Sequence, residues 1–231
     1  MAAKRTSAAL SLSPVKTIMK VLIIGANGQI GTQLVDKLKD SKHEPVPMVR
    51  KEEDLNTFKE KETEPVLADL EEDISHAFEG VDAVVFTAGS GADTGKDKTE
   101  AVDKKGAVKA INEAKSKGID RFVMVSAFGA DFEPKEWPDS MKHYYEAKAA
   151  ADNHLISSGL NYTILKPGRL TDDSGNGKVD IGERTQERMG EIPREDVATT
   201  IREILDRPNT YQASYEMLEG DQPIAQAVER I

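Results

Sequence analysis

A tyrosine and a lysine stand four residues apart in this 231-residue chain, in a pattern suited to acid–base chemistry. Tyr144 and Lys148 are separated by one helical turn, so both side chains project from one face of a predicted helix. A phenol with a pKa of about 10 is a poor acid at neutral pH. An ammonium about 4 Å away contributes about 4 kcal/mol at an effective dielectric constant of 20. We therefore expect Lys148 to lower the pKa of Tyr144 by about three units and to make it a usable proton donor.

A hydroxyl residue, Ser126, directly follows a predicted strand, and the pair Tyr144 and Lys148 opens the helix after that strand. We expect Ser126 to hydrogen-bond a substrate oxygen as charge develops there. The alternative is a packed tyrosine and a solvated lysine without a chemical role. The shared position of the three residues after one strand favours catalysis.

The stretch of residues 19–38 is suited to bind phosphate. Its glycines lie between the apolar run of residues 21–24 and a segment with helical periodicity. Such a turn lets the backbone approach a pyrophosphate, and the helix N-terminus stabilises the anion. An ordinary tight strand-to-helix turn is the alternative. The residues of this turn that we expect to contact a dinucleotide are Gly25, Asn27, Gly28, Gln29, Ile30 and Gly31.

Further candidate cofactor contacts follow the other predicted strands. Arg50 stands where an NAD-binding fold usually has an acid for the ribose 2′-hydroxyl, and arginine instead matches a 2′-phosphate. It therefore indicates NADP, with NAD possible, unless residues 50–53 are only a solvated surface turn. The other expected contacts are Asp69 and Leu70 beside the adenine, and the small residues Thr87, Ala88 and Gly89 along the cofactor.

The elements that position these residues alternate between strand and helix. This alternation predicts parallel strands with right-handed crossovers and helices on both faces. We therefore predict an α/β fold with one doubly wound, mainly parallel sheet, and ligand binding at the carboxyl ends of its strands. Strands are predicted at residues 21–24, 45–49, 65–68, 83–86, 121–125 and 162–165, and helices at residues 97–117 and 144–157.

Composition excludes several functions. The net charge is −10, and about −13 without the basic first 18 residues, so the chain should repel nucleic acid and anionic membranes. The sequence contains no run of 18 apolar residues, so it predicts no membrane-spanning helix. Cysteine is absent, which excludes disulfides and thiolate chemistry. The four histidines have no paired metal spacing, so we expect no metal site.

Two segments are interpreted as accessory. Residues 1–18 are basic and rich in Ser and Ala, and precede a methionine that opens the first strand. We favour an extension from a vector or a misplaced start; a transit-peptide remnant or a flexible tail are the alternatives. We expect a cytosolic protein, or one of an organelle stroma if the segment is a transit remnant. Residues 89–95 lack the spacing of a nucleoside-triphosphate loop and are expected to form a mobile loop over the cofactor.

Together these motifs resemble the atypical short-chain dehydrogenase/reductase superfamily, and more narrowly its NmrA-like and NAD(P)-dependent epimerase-like single-domain proteins. The resemblance covers residues 19–231 and also includes the run Lys-Pro-Gly at residues 166–168. It implies that Pro167 and Gly168 line the nicotinamide and that Lys148 holds the nicotinamide ribose. It gives residues 194–198 a structural role. No asparagine matches the fourth member of the family's catalytic set.

The resemblance implies an NADP(H)-dependent oxidoreductase that transfers hydride between nicotinamide and a small carbonyl or alcohol. We expect a Rossmann core of residues 19–168 and a small substrate-side region of residues 169–231, in which residues 170–191 are predicted mostly as loop. Such a region is short for gripping a nucleotide sugar. Two alternatives stay open, an NmrA-like dinucleotide sensor without turnover and an NAD-dependent sugar epimerase. The sequence does not distinguish a monomer from a homodimer.

Overall fold

The computed structural model describes residues 18–90, 95–185 and 189–231. Within these residues an eight-stranded sheet has the order β3-β2-β1-β4-β5-β6-β10-β8, and β7 and β9 form a separate pair. The strands are β1 Lys20–Ile24, β2 Glu44–Val49, β3 Val66–Leu67, β4 Ala83–Phe86, β5 Arg121–Val125, β6 Asn161–Pro167, β7 Arg169–Thr171, β8 Lys178–Gly182, β9 Glu191–Pro193 and β10 Ala213–Pro223.

The helices cover both faces of the large sheet. They are α1 Gln29–Lys39, α2 Glu52–Glu60, α3 Lys96–Lys98, α4 Ala107–Ser116, α5 Lys142–Ile156, α6 Arg194–Ile204 and α7 Ile224–Arg230. A π-helical segment, Thr99–Gly106, joins α3 to α4. None of the helices in the described ranges is long and apolar enough to cross a membrane.

The large sheet is parallel from β3 through to β10, and β8 pairs with β10 in the antiparallel direction. The four apolar residues of β1 are all buried, as expected of a strand covered on both faces. The predicted α/β fold with a doubly wound, mainly parallel sheet is therefore confirmed.

Two apolar clusters fill the space between the sheet and its helices. On one face Leu34 of α1 and Ile201 of α6 belong to the same cluster as Ile23 of β1. On the other face Ile111 of α4 and Leu155 of α5 pack with the opposite side chains of the strands. Alternate residues of the central strands β1, β4 and β5 enter opposite clusters, so this part of the sheet packs against helices on both faces.

The main correction to the sequence prediction concerns residues 170–191. The expected loop contains β8 and parts of β7 and β9. These strands have three to five residues, too few to show an alternating pattern, and their partners are remote in sequence. The buried side chain of Val179 anchors β8 beside β10.

Two predicted segments lie largely or partly outside the described residues. Residues 1–17 of the predicted leader lie outside the described residues, and Ile18, the next residue, is exposed. Residues 91–94 of the predicted loop over the cofactor also lie outside them.

Candidate active site

The turn between β1 and α1 is formed by very close backbone approaches. Gly25 has a φ of +90°, and a Cβ atom there would lie 2.6 Å from the backbone nitrogen of Ala88. A Cβ atom on Gly31 would lie 2.2 Å from the carbonyl oxygen of Gly25. Neither position accepts a side chain without movement of the backbone, so these glycines set the shape of the turn.

The N-terminus of α1 is open to an anion. Its N-cap is Gly28, which supplies no side-chain cap, and its first turn contains no acidic residue. The first N–H groups of a helix have no partner within the helix, and its dipole favours negative charge at this end. Gly28, Gln29 and Ile30 line a cavity in front of the helix. The turn can therefore hold a pyrophosphate.

This cavity has a volume of about 800 Å³ and lies where the parallel strands β4, β5 and β6 end. It brings together residues that are widely separated in the sequence. Its lining includes these predicted site residues: Gly28, Gln29, Ile30, Thr87, Ala88, Gly89, Ser126, Tyr144, Lys148, Pro167 and Gly168.

Several other predicted contacts do not line the cavity. Gly25 and Gly31 act through the shape of the turn, and Asn27 is exposed beside it. Arg50 is exposed at the end of β2, where the neighbouring Lys51 pairs with Glu53.

Asp69 and Leu70 also lie outside the cavity lining. Asp69 accepts a hydrogen bond from the backbone N–H of Glu71 at 2.9 Å. Leu70 packs against Gly106 at the end of the π-helical segment, where a Cβ atom would lie 3.1 Å from the Leu70 Cδ1. In this structure Asp69 therefore closes a local turn, and Leu70 packs against the π-helical segment.

Lys148 is held by a buried ion pair that the sequence analysis missed. Its Nζ lies 3.0 Å from Oδ1 of Asp103, and both side chains are almost completely buried. The other oxygen of Asp103 accepts a hydrogen bond from the backbone N–H of Ser90 at 2.9 Å. Asp103 belongs to the π-helical segment, and the wider π turn brings position 103 to the buried face instead of Val102. Periodicity of 3.6 residues could not have indicated this.

The charges around Lys148 keep it protonated. Burial alone would lower the pKa of its ammonium group, but its electrostatic interactions with Tyr144, Asp103 and Asp152 outweigh burial and leave the pKa above its usual value. Lys148 is therefore an ammonium group at the wall of the cavity at neutral pH.

The expected lowering of the Tyr144 pKa is wrong for this structure. The Nζ of Lys148 lies 5.7 Å from the centre of the Tyr144 ring, but it also pairs with Asp103. Burial raises the pKa of Tyr144, and the attraction of Lys148 offsets this only in part. The phenol is consequently neutral at neutral pH and can donate a hydrogen bond.

Ser126 also has a buried partner. Its Oγ donates a hydrogen bond to Oδ2 of Asp152 at 2.8 Å, and both residues are buried. Burial raises the pKa of Asp152 to about 6, against the opposing effects of Ser126 and two lysines. The spacing Tyr144, Lys148, Asp152 places all three on one face of α5, and this signal could have revealed Asp152 from the sequence.

The outer part of the cavity combines apolar and cationic side chains. Arg194, at the start of α6, lines it and pairs with Asp172 through Nη1 at 2.7 Å. Arg169 lines it as well and pairs with Glu191. The apolar lining in this part comes from Phe128, Met141, Tyr145, Leu170 and Met189. Apolar side chains with a few polar groups among them are the usual lining of small-molecule sites.

The N-terminus of α6 stabilises the loop before β8. Asp196, which is buried, accepts hydrogen bonds from the backbone N–H groups of Asn176 and Gly177 at 3.0 Å each. Glu195 accepts one from Gly175 at 3.0 Å. The acidic residues of the 194–198 segment therefore have structural contacts.

A glycine turn leading to an uncapped helix, beside a cavity at the carboxyl edge of a parallel sheet, defines a dinucleotide-binding protein of the Rossmann class. Comparison with known families agrees with this geometry. Residues 25–208 match the family described as NAD(P)H-binding, and the chain belongs to that family. The expected cofactor, NAD(P), and the resemblance to Rossmann-type NAD(P)-binding proteins are confirmed.

Similar proteins carry related descriptions. An uncharacterized sugar epimerase, YhfK, from Bacillus subtilis is 46% identical over 217 residues, which cover 92% of this chain and all of the relative. A solved structure from Bacillus halodurans, provisionally described as an NAD-dependent epimerase/dehydratase, is 46% identical. It covers 92% of this chain and 100% of its own, with a TM-score of 0.89. The structure of the oxidoreductase YlbE from Lactococcus lactis is 28% identical in sequence and has a TM-score of 0.81. The match covers 92% of this chain and 96% of YlbE.

Proposed function

We propose that the protein is an NADP(H)-dependent oxidoreductase that transfers hydride between the nicotinamide and a small carbonyl or alcohol. One observation carries this proposal. Ser126, Tyr144 and Lys148 line the same cavity as the glycine turn of the dinucleotide-binding family. A binding site alone would not need a hydroxyl, a phenol and an ammonium group together on the substrate side.

The proposed cofactor contacts begin at the glycine turn and continue along the cavity. Gly28 and Ile30 hold the pyrophosphate at the N-terminus of α1, and residues 87–89 lie along the cofactor. Pro167 and Gly168 flank the nicotinamide, and Lys148 holds its ribose. Arg50 binds the 2′-phosphate from the end of β2.

The bound cofactor supplies the hydride, so the protein needs to place and protonate the substrate oxygen. Ser126 and the neutral phenol of Tyr144 hydrogen-bond the carbonyl oxygen. As the oxygen gains negative charge it becomes a stronger base, takes the phenolic proton, and leaves a phenolate that Lys148 stabilises. Because burial keeps Tyr144 protonated, the arrangement favours carbonyl reduction over alcohol oxidation at neutral pH.

The test is reduction of a broad panel of carbonyl compounds with NADPH, comparing the parent protein with Tyr144→Phe. This change removes one oxygen and hardly alters packing. Turnover should fall by about 10²- to 10⁴-fold, the usual contribution of a positioned acid. NADPH affinity should stay within a fewfold. Tyr162→Phe, which removes a hydroxyl from β6 outside the cavity lining, is the matched control.

Undiminished activity in Tyr144→Phe would reject the proposed acid. An absence of turnover with every carbonyl would favour the alternative of a dinucleotide sensor. A sensor should change shape between NADP and NADPH, which small-angle scattering or hydrogen exchange would detect.

A sugar epimerase is the second candidate, because YhfK, at 46% identity, carries that description. An epimerase returns the hydride to the same substrate carbon, so the cofactor shows no net change. Incubation with NAD and a panel of sugar nucleotides, followed by proton NMR, separates the two candidates. A second stereoisomer that accumulates without release of NADH would support the epimerase.

A further inference from the structure

A carboxyl group lies directly behind the hydroxyl that faces the substrate. Ser126 lines the cavity, whereas Asp152 does not, and the 2.8 Å hydrogen bond between them crosses the cavity wall. Oδ1 of Asp152 is buried and, among the residues that the structure describes, has no hydrogen-bond partner. The carboxyl group is therefore engaged mainly with Ser126.

A serine hydroxyl has one proton to donate. When Asp152 is a carboxylate, that proton points to Oδ2, and only the lone pairs of Ser126 Oγ face the cavity. When Asp152 is protonated, its own O–H donates to Ser126 Oγ and releases the serine proton toward the cavity. A carbonyl oxygen needs a donor, so only the second arrangement stabilises its developing charge.

We propose that Asp152 sets the direction of the Ser126 hydroxyl, and that Ser126 donates to a carbonyl oxygen only while Asp152 is protonated. This inference rests on the proposed function, because it concerns the same reduction. Asp152 acts through Ser126 and is a positioning residue.

The charged groups that face Asp152 come from three elements. On its own helix are Lys148, whose Nζ pairs with Asp103, and the neutral Tyr144. Lys166 faces it from β6, and Asp131 from the loop after β5, with Nζ and Oδ2 of these two residues 3.3 Å apart. The lysines favour the carboxylate, whereas burial and Asp131 favour the acid. The balance gives Asp152 a pKa of about 6, so both forms are populated near neutral pH.

The hydrogen bond is tested first without any turnover. In protein labelled with ¹³C at aspartate carboxyl carbons, the Asp152 signal is identified by its loss in Asp152→Asn. Its midpoint should lie near pH 6. In Ser126→Ala the carboxylate loses a hydrogen-bond donor, so the midpoint should rise by about one unit. An unchanged midpoint would overturn the proposal, because Ser126 would then not be donating to Asp152.

The second test is the pH dependence of kcat/KM for carbonyl reduction. In the parent protein kcat/KM should fall about tenfold per pH unit above a break near pH 6. In Asp152→Asn the amide donates to Ser126 at every pH, so the break should disappear and activity at pH 8 should exceed the parent's. Tyr144→Phe should lower the whole profile and keep the break.

Asp131→Asn is the matched control, since it removes a nearby carboxylate that does not touch Ser126. It should keep the break and move it slightly to lower pH. A break that persists in Asp152→Asn would overturn the proposal. An absence of turnover in every protein would reject the proposed function instead, and the NMR comparison would still decide whether Asp152 holds the Ser126 proton.

Discussion

The buried carboxyl group of Asp152 makes the free energy of unfolding depend on pH. Its folded-state pKa of about 6 lies above the usual value of 3.8. The protonated form is therefore favoured by folding, and this stabilisation is lost as pH rises through 6. Above pH 6 the buried charge costs about 3 kcal/mol, which corresponds to about two pKa units.

Asp152→Asn should remove this cost because the amide is neutral and still pairs with Ser126. We expect a gain of up to about 3 kcal/mol in the free energy of unfolding at pH 7.5, shrinking toward zero as pH falls from 6 to 4. Urea denaturation at several pH values measures it, with the exposed Asp173→Asn as control. An equal gain at pH 5 and pH 7.5 would contradict this interpretation.

Arg50 governs the predicted choice of cofactor. We expect NADPH to bind more tightly than NADH, and Arg50→Ala to remove most of the difference. A hydrogen bond to a charged group contributes about 1.5 to 3 kcal/mol, so the change should be about ten- to a hundredfold. Calorimetry with both cofactors measures it.

Lys51→Ala is the control, since Lys51 is the adjacent cation and pairs with Glu53. Equal affinities for the two cofactors in the parent protein would show that Arg50 is only a surface residue.

The sequence predicted the side chains that line the cavity better than the groups behind them. Ser126, Tyr144 and Lys148 were found because each has a recognisable type directly after a strand or at helical spacing. Asp103 and Asp152 are ordinary acids in charged helices, and their burial depends on the fold. The predicted pKa of Tyr144 was wrong for the same reason, because desolvation of the phenol and the charge of Asp103 depend on the fold and oppose the effect of Lys148.

The β1–α1 unit depends on close contact between the backbone of Gly31 in α1 and that of Gly25 in the preceding turn. Gly31→Ala would place its Cβ 2.2 Å from the carbonyl oxygen of Gly25, so α1 must move away from the turn. We expect a loss of about 1 to 3 kcal/mol of unfolding free energy, as for other overpacked sites. NADPH affinity should fall as well, because the same shift moves the anion site.

Thermal unfolding and calorimetry measure the two effects. Gly95→Ala is the stability control, since a Cβ atom there meets no atom of the described residues within 4 Å. An unchanged stability in Gly31→Ala would mean that the turn adjusts more easily than its contacts indicate.

The elements buried on both faces were predicted most accurately. β4 and β5 have the predicted limits because continuous apolar runs bounded by polar residues identify such strands. The predicted helix of residues 97–117 instead contains the π-helical segment Thr99–Gly106, which hydrophobic periodicity cannot distinguish from α-helix. β7 and β9 pair with each other across about twenty intervening residues, and no local pattern indicates that pairing.

Residues 169–231 contribute to the same hydrophobic core as the nucleotide-binding strands. Ile201 and Met217 belong to the cluster that contains Ile23 and Leu34. We therefore expect a chain ending at Gly168 to lack a cooperative unfolding transition, because it has neither α6 on that face of the sheet nor β10 beside β6. Circular dichroism during urea denaturation tests it.

A steep transition in the shortened chain would show that residues 19–168 fold independently. The full-length protein under the same conditions is the control.

The two ends of the large sheet restrict how the protein can aggregate. An exposed edge strand offers unpaired backbone groups that template edge-to-edge growth. Here one edge strand, β3, has only two residues. The other, β8, carries Lys178 and Asp180 and faces an irregular stretch of β10 between Leu218 and Gln222. Neither edge presents a long, flat row of hydrogen-bonding groups, so a second copy cannot readily extend the sheet into a fibre.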